Sequence, residues 1–353
     1  MGPRRLRLPD DDYKHKAIVE WWYFNGFLKV GRKNYAFMNC LFKIDPVKAN
    51  IPIISKLMGS FGLREGYFAH SILYDLSRAE KKTVIMPITF VSKNSFEGKR
   101  LNVSYIRPMV GGFSVHLIER LGENLRIKND FVDLLLNSKK DAIIQGKNGW
   151  VSLPGVGGTW YYSYSDLRVE GEVLGKKCEG TSWMDHQWAD VSYSPALGWD
   201  WFSIKLDHGT DIICYKFIFR DNAVYRAYIS KPDGEVREIP FEYVALEQWE
   251  SSVTGAVYDV AWLLSFPTEN LKLMVSSFMR DQELLFGAIN YWEGPVKVFG
   301  NWNGKKISGK GFVELVGRKR KANLLKIGGY ELRKTVKESF DKLKTILLRK
   351  NFR

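Results

Sequence analysis

The residues best suited to acid chemistry lie together in Trp183-Met184-Asp185-His186-Gln187-Trp188, with Trp199-Asp200-Trp201 close behind. Successive side chains of a strand point to opposite faces. Trp183, Asp185 and Gln187 are therefore expected on one face, and Met184, His186 and Trp188 on the other. If one face lines a barrel interior, an acid or an imidazole sits in an indole-rich wall. Burial beside aromatic surface raises a carboxyl pKa and suits the group to general-acid work. A neighbouring indole stabilises a cation by about 0.5–2 kcal/mol. Acid plus aromatic wall fits protonation of an unactivated double bond, with water capturing the carbocation. The same residues have a plain structural reading. Buried Asp and His often satisfy backbone groups or one another, and Trp often fills core. Glu20, just before Trp21, carries the same two readings.

Other chemistries find less support. His70 and His116 are isolated and His208 sits in a turn-like Asp207-His208-Gly209, so structural roles are expected for all three. No His/Cys/Asp cluster shows metal-ligand spacing along the chain, and Asp185 and His186 diverge on a strand. No metal and no cofactor are expected. A serine nucleophile elbow, a P-loop and a dinucleotide fingerprint are not found, and Gly155-Val156-Gly157-Gly158 lacks the required context.

The elements that must position these residues repeat. Val169, Gly171, Gly175-Lys176-Lys177 and Gly180 recur as Val298, Gly300, Gly304-Lys305-Lys306 and Gly309, offset by 129 positions. In the same register Trp183 falls on Phe312 and Asp185 on Glu314. Trp21-Trp22-Tyr23-Phe24 with Leu28 and Gly31 is echoed by Trp199-Asp200-Trp201-Phe202 with Leu206 and Gly209, offset by 178. Early echo matches early and late matches late, which points to two copies of one unit, the first longer. Strand signals dominate: Trp22 to Leu28, Tyr35 to Ile44, Thr159 to Tyr164, Trp201 to Leu206, Ile212 to Arg220 and Val224 to Ser230. Asp233-Gly234 is a hairpin signal. Short strands at close spacing suggest all-β sandwiches or barrels, and a small barrel can enclose one ligand.

We expect domains at 1–190 and 191–317, with a tail at 318–353. The first copy should close with a strand from Thr181 to Trp188 and the second with Gly311 to Val316, linked through Ala189 to Gly198. Between Asp45 and Gly66, the residues Ile51, Ile53, Ile54, Leu57, Met58 and Phe61 suggest a short helix packed on the barrel or an apolar lid.

Composition narrows the class. A chain of 353 residues suits two domains, and 45% hydrophobic with 14% aromatic content excludes a disordered protein. Cys40, Cys178 and Cys214 are odd in number and far apart, so a reducing cytoplasmic setting is the default. The N-terminus does not read as a secretory signal, and no run of about 18 apolar residues could span a membrane. The formal charge is +14, yet residues 318–353 hold 13 Lys/Arg against 3 Asp/Glu. Basicity therefore belongs to the tail. Residues 331–350 read as a helix, with Leu332, Val336, Phe340, Leu343 and Leu347 within about 80° of one another. That helix either docks on the body or lies on an anionic membrane surface at the inner face. Nucleic acid is not expected, because the body shows no recognised motif.

Five segments occur in a telling order: Glu20-Trp21-Trp22-Tyr23-Phe24, Trp183-Met184-Asp185-His186-Gln187-Trp188, Gly198-Trp199-Asp200-Trp201-Phe202, Tyr291-Trp292-Glu293-Gly294 and Gly311-Phe312-Val313-Glu314-Leu315. Together they resemble the lipocalin-like superfamily of acyclic carotenoid hydratases, kievitone hydratase and AttH-type proteins, to which some fungal pericyclases are similar. The resemblance spans roughly residues 15–317. It implies an all-β chain of two lipocalin-like antiparallel β-barrels, and a site at Asp185, His186 and Trp188. The family pattern commonly has Glu where this chain has Gln187, and often Gly where it has Ala189.

Three functions follow. The first is a cofactor-independent hydratase acting on an alkene of an isoprenoid or carotenoid-like lipid. Asp185 is its acid, with His186 as partner or water-orienting base and Glu20 as the alternative acid. Trp22, Trp183, Trp188, Trp199 and Trp201 form the substrate wall. The second is a non-catalytic lipid or isoprenoid carrier at the membrane surface. The third is a pericyclase that preorganises a polyene.

Overall fold

The computed structural model describes residues 4–50, 56, 59, 60, 62, 65–109, 112–153, 157–192, 197–219, 222–286 and 289–322. The 331–350 helix and most of the apolar segment at 51–64 lie outside these residues.

The described chain is all-β and forms two curled antiparallel half-barrel sheets. Across the first run Glu80–Met86, Gly66–Asp75, Lys33–Ile44, Val19–Val30, Lys176–Ala189, Gly157–Val173, Val132–Ser138, Asn124–Lys128 and Gly112–Leu121. Across the second run Val236–Glu238, Asn222–Ser230, Asp211–Phe219, Leu197–Leu206, Lys305–Val316, Ile289–Trp302, Leu271–Ser277, Val257–Phe266 and Glu242–Glu250. The orders match place for place. The first sheet then continues through Asn102–Met109 and Phe90–Val91, which accounts for part of its extra length.

The echoed Gly-Lys-Lys phrases are equivalent hairpins. Val173 pairs with Lys176 and Trp302 with Lys305. The intervening Leu174-Gly175 and Asn303-Gly304 all have positive φ, the two-residue turn whose twist matches the flanking strands. Glycine tolerates that region without a Cβ clash. The copies differ in register beside the central strands. Gly157–Val173 carries a register shift between Tyr164 and Leu167, whereas Ile289–Trp302 runs in unbroken register against its partner.

The central strand Val19–Val30 is buried continuously from Trp22 to Leu28, as expected for a strand covered on both faces. One face packs inside the curl. There Trp22, Phe24 and Met184 join Leu73, Val84, Ile118 and Leu125, residues from strands toward opposite ends of the sheet. Such a cluster requires the sheet to bend over it. Phe202, Trp262, Leu273, Trp292 and Val313 fill the second curl in the same way. The other face meets the partner sheet: Tyr23, Phe27, Tyr161 and Trp183 pack with Trp201, Tyr215, Tyr291 and Phe312. Asn25 and Ser203, which correspond under the 178-residue offset, hydrogen-bond to each other across this junction at 3.3 Å. No helix among the described residues is long and apolar enough to cross a membrane.

Candidate active site between the two sheets

Register places the acid. Asp185 stands opposite Tyr23 on one neighbouring strand and Ser163 on the other. Its counterpart Glu314 stands opposite Trp201 and Glu293. Asp185 and Glu314 thus occupy equivalent central-strand positions, and both line one pocket between the sheets. Trp21, Tyr23, Phe42 and Tyr161 contribute wall from the first sheet, and Trp199, Trp201, Tyr215 and Phe217 from the second. Together these side chains frame an open-mouthed cleft between the sheets.

Asp185 is buried, and burial pushes its carboxyl up to about 6. The negative charge of Glu314 pushes the same way, while hydrogen bonds from Ser163, Tyr161 and Trp183 oppose both. Trp183 Nε1 donates to Oδ1 at 2.6 Å and the Tyr161 hydroxyl to Oδ2 at 2.5 Å. Trp201 Nε1 donates in turn to the Tyr161 hydroxyl at 2.9 Å. An indole of the second sheet therefore fixes the phenol that fixes the acid of the first.

The second carboxyl group has its own supports. Trp199 Nε1 donates to Glu314 Oε1. Glu314 is half-buried, and burial raises its pKa on balance; hydrogen bonds from the Glu293 carboxyl and the Trp199 N–H oppose that rise. Glu293 is wholly buried, which pushes its pKa well above the ordinary carboxyl value, and the charge of Glu314 adds to this. The Tyr23 hydroxyl donates to Glu293 Oε1 at 2.7 Å.

His186, Glu20, Trp22 and Trp188 stand elsewhere. Strand alternation sends them to the opposite face, inside or beside the first curl, away from the pocket. His186 Nε2 lies 3.0 Å from Glu20 Oε1 and its Nδ1 lies 3.0 Å from the Tyr162 hydroxyl. Glu20 also accepts from the His15 backbone N–H at 2.9 Å, from His15 Nδ1 at 2.9 Å and from Lys43 Nζ at 3.2 Å. Burial alone would raise the Glu20 pKa, but these hydrogen bonds and the charges of His186 and Lys43 hold it down to about 2. Glu20 is a carboxylate at neutral pH and has no proton to give. Trp22 stacks on His186 at 4.9 Å and Trp188 on His15 at 3.6 Å.

The grouping of Asp185, His186 and Glu20 in one site is therefore corrected: the sheet lies between Asp185 and the other two. The expected indole wall divides likewise. Trp199 and Trp201 line the pocket, Trp183 reaches Asp185, and Trp22 and Trp188 are core. The expected location is corrected as well, because side chains fill the curls and the pocket lies between them.

Sequence spacing also missed a cluster. His15, Glu20 and His186 bring ligand-type atoms within 4.8 Å of one another, a grouping of metal-ligand spacing among the described residues. Lys43 places an ammonium on the same carboxylate at 3.2 Å, so a cation already neutralises it and the cluster is satisfied internally. Tyr161, Tyr23, Glu314 and Glu293 were not singled out as site residues. The echo that sets Asp185 on Glu314 was the signal that could have found Glu314, and Glu293 stands in the Tyr291-Trp292-Glu293-Gly294 segment that carries the resemblance.

The comparisons with known proteins agree with this architecture. The family model described as AttH-like matches residues 1–318. Among solved structures, a putative AttH (NE1406) from Nitrosomonas europaea aligns at 23% identity and TM-score 0.68, over 91% of this chain and 99% of that one. Kievitone hydratase from Nectria haematococca aligns at 19% identity and TM-score 0.65, over 88% and 93%. CghA, solved with Sch210972, aligns at 12% identity and TM-score 0.51, over 87% and 90%. At these identities the structures share the fold. A search of curated proteins gives no match.

Proposed function

The chain belongs to the AttH-like family, and we propose that it is a cofactor-independent hydratase whose acid is Asp185. The observation that carries this reading is a carboxyl pushed up to about 6, placed in an aromatic pocket between the sheets. Such a group keeps its proton up to about pH 6, above the range of an ordinary carboxyl, and can give it to a bound alkene. Protonation at the less substituted carbon of a terminal trisubstituted alkene leaves a tertiary cation. The faces of Trp199, Trp201 and Tyr161 offer it π-density, and water completes the alcohol. The cleft opens to the surface, so one end of an isoprenoid-like chain would enter it and the remainder would leave through the mouth.

A second reading rests on the pocket's position. A cavity between two sheets, walled by aromatic side chains, also suits a pericyclase that folds a polyene. The two readings differ in whether oxygen is gained. Full-length protein incubated with acyclic isoprenoid alkenes and linear polyenes in isotopically labelled water should yield labelled alcohol from an alkene. Cyclised product without label supports the pericyclase. Tight binding of the alkenes with no product of either kind supports a carrier.

A further inference from the structure

We propose that Glu314 is the base that takes the proton from the attacking water, facing Asp185 across the same pocket, and that Glu293 is the residue that positions it. This rests on the hydration reading and adds a second catalytic group to it. The geometry is the argument. The duplication puts a carboxyl group at the same central-strand position in each sheet, and the junction turns both toward one pocket. Hydration needs an acid for the carbon and a base for the water. Two groups from separate sheets can approach a flat alkene from different sides, whereas one carboxyl group would have to do both jobs in turn.

Their surroundings couple the two groups. Glu293 lies across the strand pair from Glu314 and is wholly buried. Its neutral form favours the charged form of Glu314, as does the Trp199 indole N–H. The negative charge at Glu314 in turn helps keep the proton on Asp185. Burial raises both carboxyls, so the division rests on placement: one carboxyl stands on each sheet, and a charge on Glu314 favours the proton on Asp185. In the first sheet the position of Glu293 is held by Ser163, a hydroxyl with no carboxyl proton to share, so the two halves are not interchangeable.

The step balances. Asp185 gives its proton to the alkene carbon, the π pair forming the new C–H bond. The water oxygen bonds to the cation, and that water's proton passes to the Glu314 carboxylate. Asp185 ends ionised and Glu314 protonated. Transfer of one proton between them through solvent restores both, with one water consumed and no oxidant or reductant.

The test uses full-length wild type, Glu314→Gln and Asp185→Asn with an acyclic isoprenoid alkene in deuterated water. Glu314→Gln should lower kcat for hydration about 10²-fold with little change in KM. It should still place deuterium in recovered alkene, because Asp185 protonates and the uncaptured cation sheds a proton. Asp185→Asn should lose both hydration and exchange. Glu293→Gln, which keeps an N–H donor toward Glu314, should retain most activity. Glu293→Leu should move the acidic limb of the kcat/KM profile to higher pH, because Glu314 loses a donor to its charged form. Wild-type rate in a folded Glu314→Gln protein, or loss of exchange together with hydration in it, overturns the base assignment while Asp185 stands. An unmoved acidic limb in Glu293→Leu overturns the positioning role. Neither hydration nor exchange by wild type overturns the hydration reading and this inference with it.

Discussion

Tyr23 and Trp201 are equivalent residues that each support the other sheet. Tyr23, in the first sheet, donates its hydroxyl to Glu293 of the second at 2.7 Å. Trp201, in the second, donates its indole N–H to Tyr161 of the first at 2.9 Å, and Tyr161 holds Asp185. Each half thus orients the carboxyl network of its partner. The pocket is a property of the junction, and either sheet alone would carry an incompletely supported acid.

Asp185→Asn should fold, bind ligand and fail to hydrate. The amide keeps the shape but supplies no acidic proton, so the loss should be about 10²–10⁴-fold in kcat. Product assay beside a binding isotherm separates the two effects. Full turnover in the folded variant would place the acid elsewhere.

The same variant should be more stable than wild type at alkaline pH. Asp185 is raised from 3.8 to about 6. The stability linked to its bound proton is full below the unfolded value and lost as pH rises through about 6. Replacing a buried carboxylate by a neutral amide removes that loss, worth on the order of 3 kcal/mol. Denaturant melts at about pH 8 test it, and equal midpoints would contradict the raised pKa. Hydration by wild type should fall over the same rise through about 6, because the acid form disappears.

Tyr161→Phe should shift that alkaline limb upward. The phenol donates to the ionised form of Asp185, so its loss favours the protonated acid. It also leaves the Trp201 N–H without its acceptor, at a cost of about 1–3 kcal/mol. An alkaline limb that stays in place or moves down would show that the hydrogen bond does not tune the acid.

Glu20→Gln should act on stability. Glu20 is lowered from 4.5 to about 2, so its contribution is present above the unfolded value and lost as pH falls through about 2. The substitution leaves Lys43 without its carboxylate partner in a buried site and should cost about 3 kcal/mol near neutral pH. Wild-type stability in this variant would show that the cluster with His15, His186 and Lys43 carries little.

The basic tail gives a prediction about location. Arg318 bonds Asp200 at 2.6 Å and the Lys321 backbone N–H reaches Thr254 O at 2.8 Å, so these residues belong to the body. Removal of residues 323–353 should therefore leave a folded protein. Near an anionic surface each Lys or Arg contributes about 1 kcal/mol, weakened by salt. The full chain should sediment with anionic vesicles in a salt-sensitive way and the truncated chain should not. Equal behaviour of the two forms would leave the tail docked or idle.

The sequence alone determined the repeat and the faces. The Gly-Lys-Lys echo marked the repeat, and its two copies fold as equivalent two-residue hairpin turns. Alternation along Trp183 to Trp188 separated Asp185 from His186, because a strand has period two. Both are local rules. Where each face went was decided only by tertiary structure. A strand covered on both sides is apolar on both sides, so Trp22 in a filled curl and Trp201 at the pocket read alike in sequence. Whether a curl is empty depends on side chains from strands far apart in the chain, as Val84 and Leu125 are when they pack together inside the first. The pairing of Asp185 with Glu314 in one pocket, and the charge-neutralising contact of Lys43 with Glu20, arise from contacts between distant segments. No local pattern encodes those contacts, because burial and charge neutralisation depend on everything that surrounds a group.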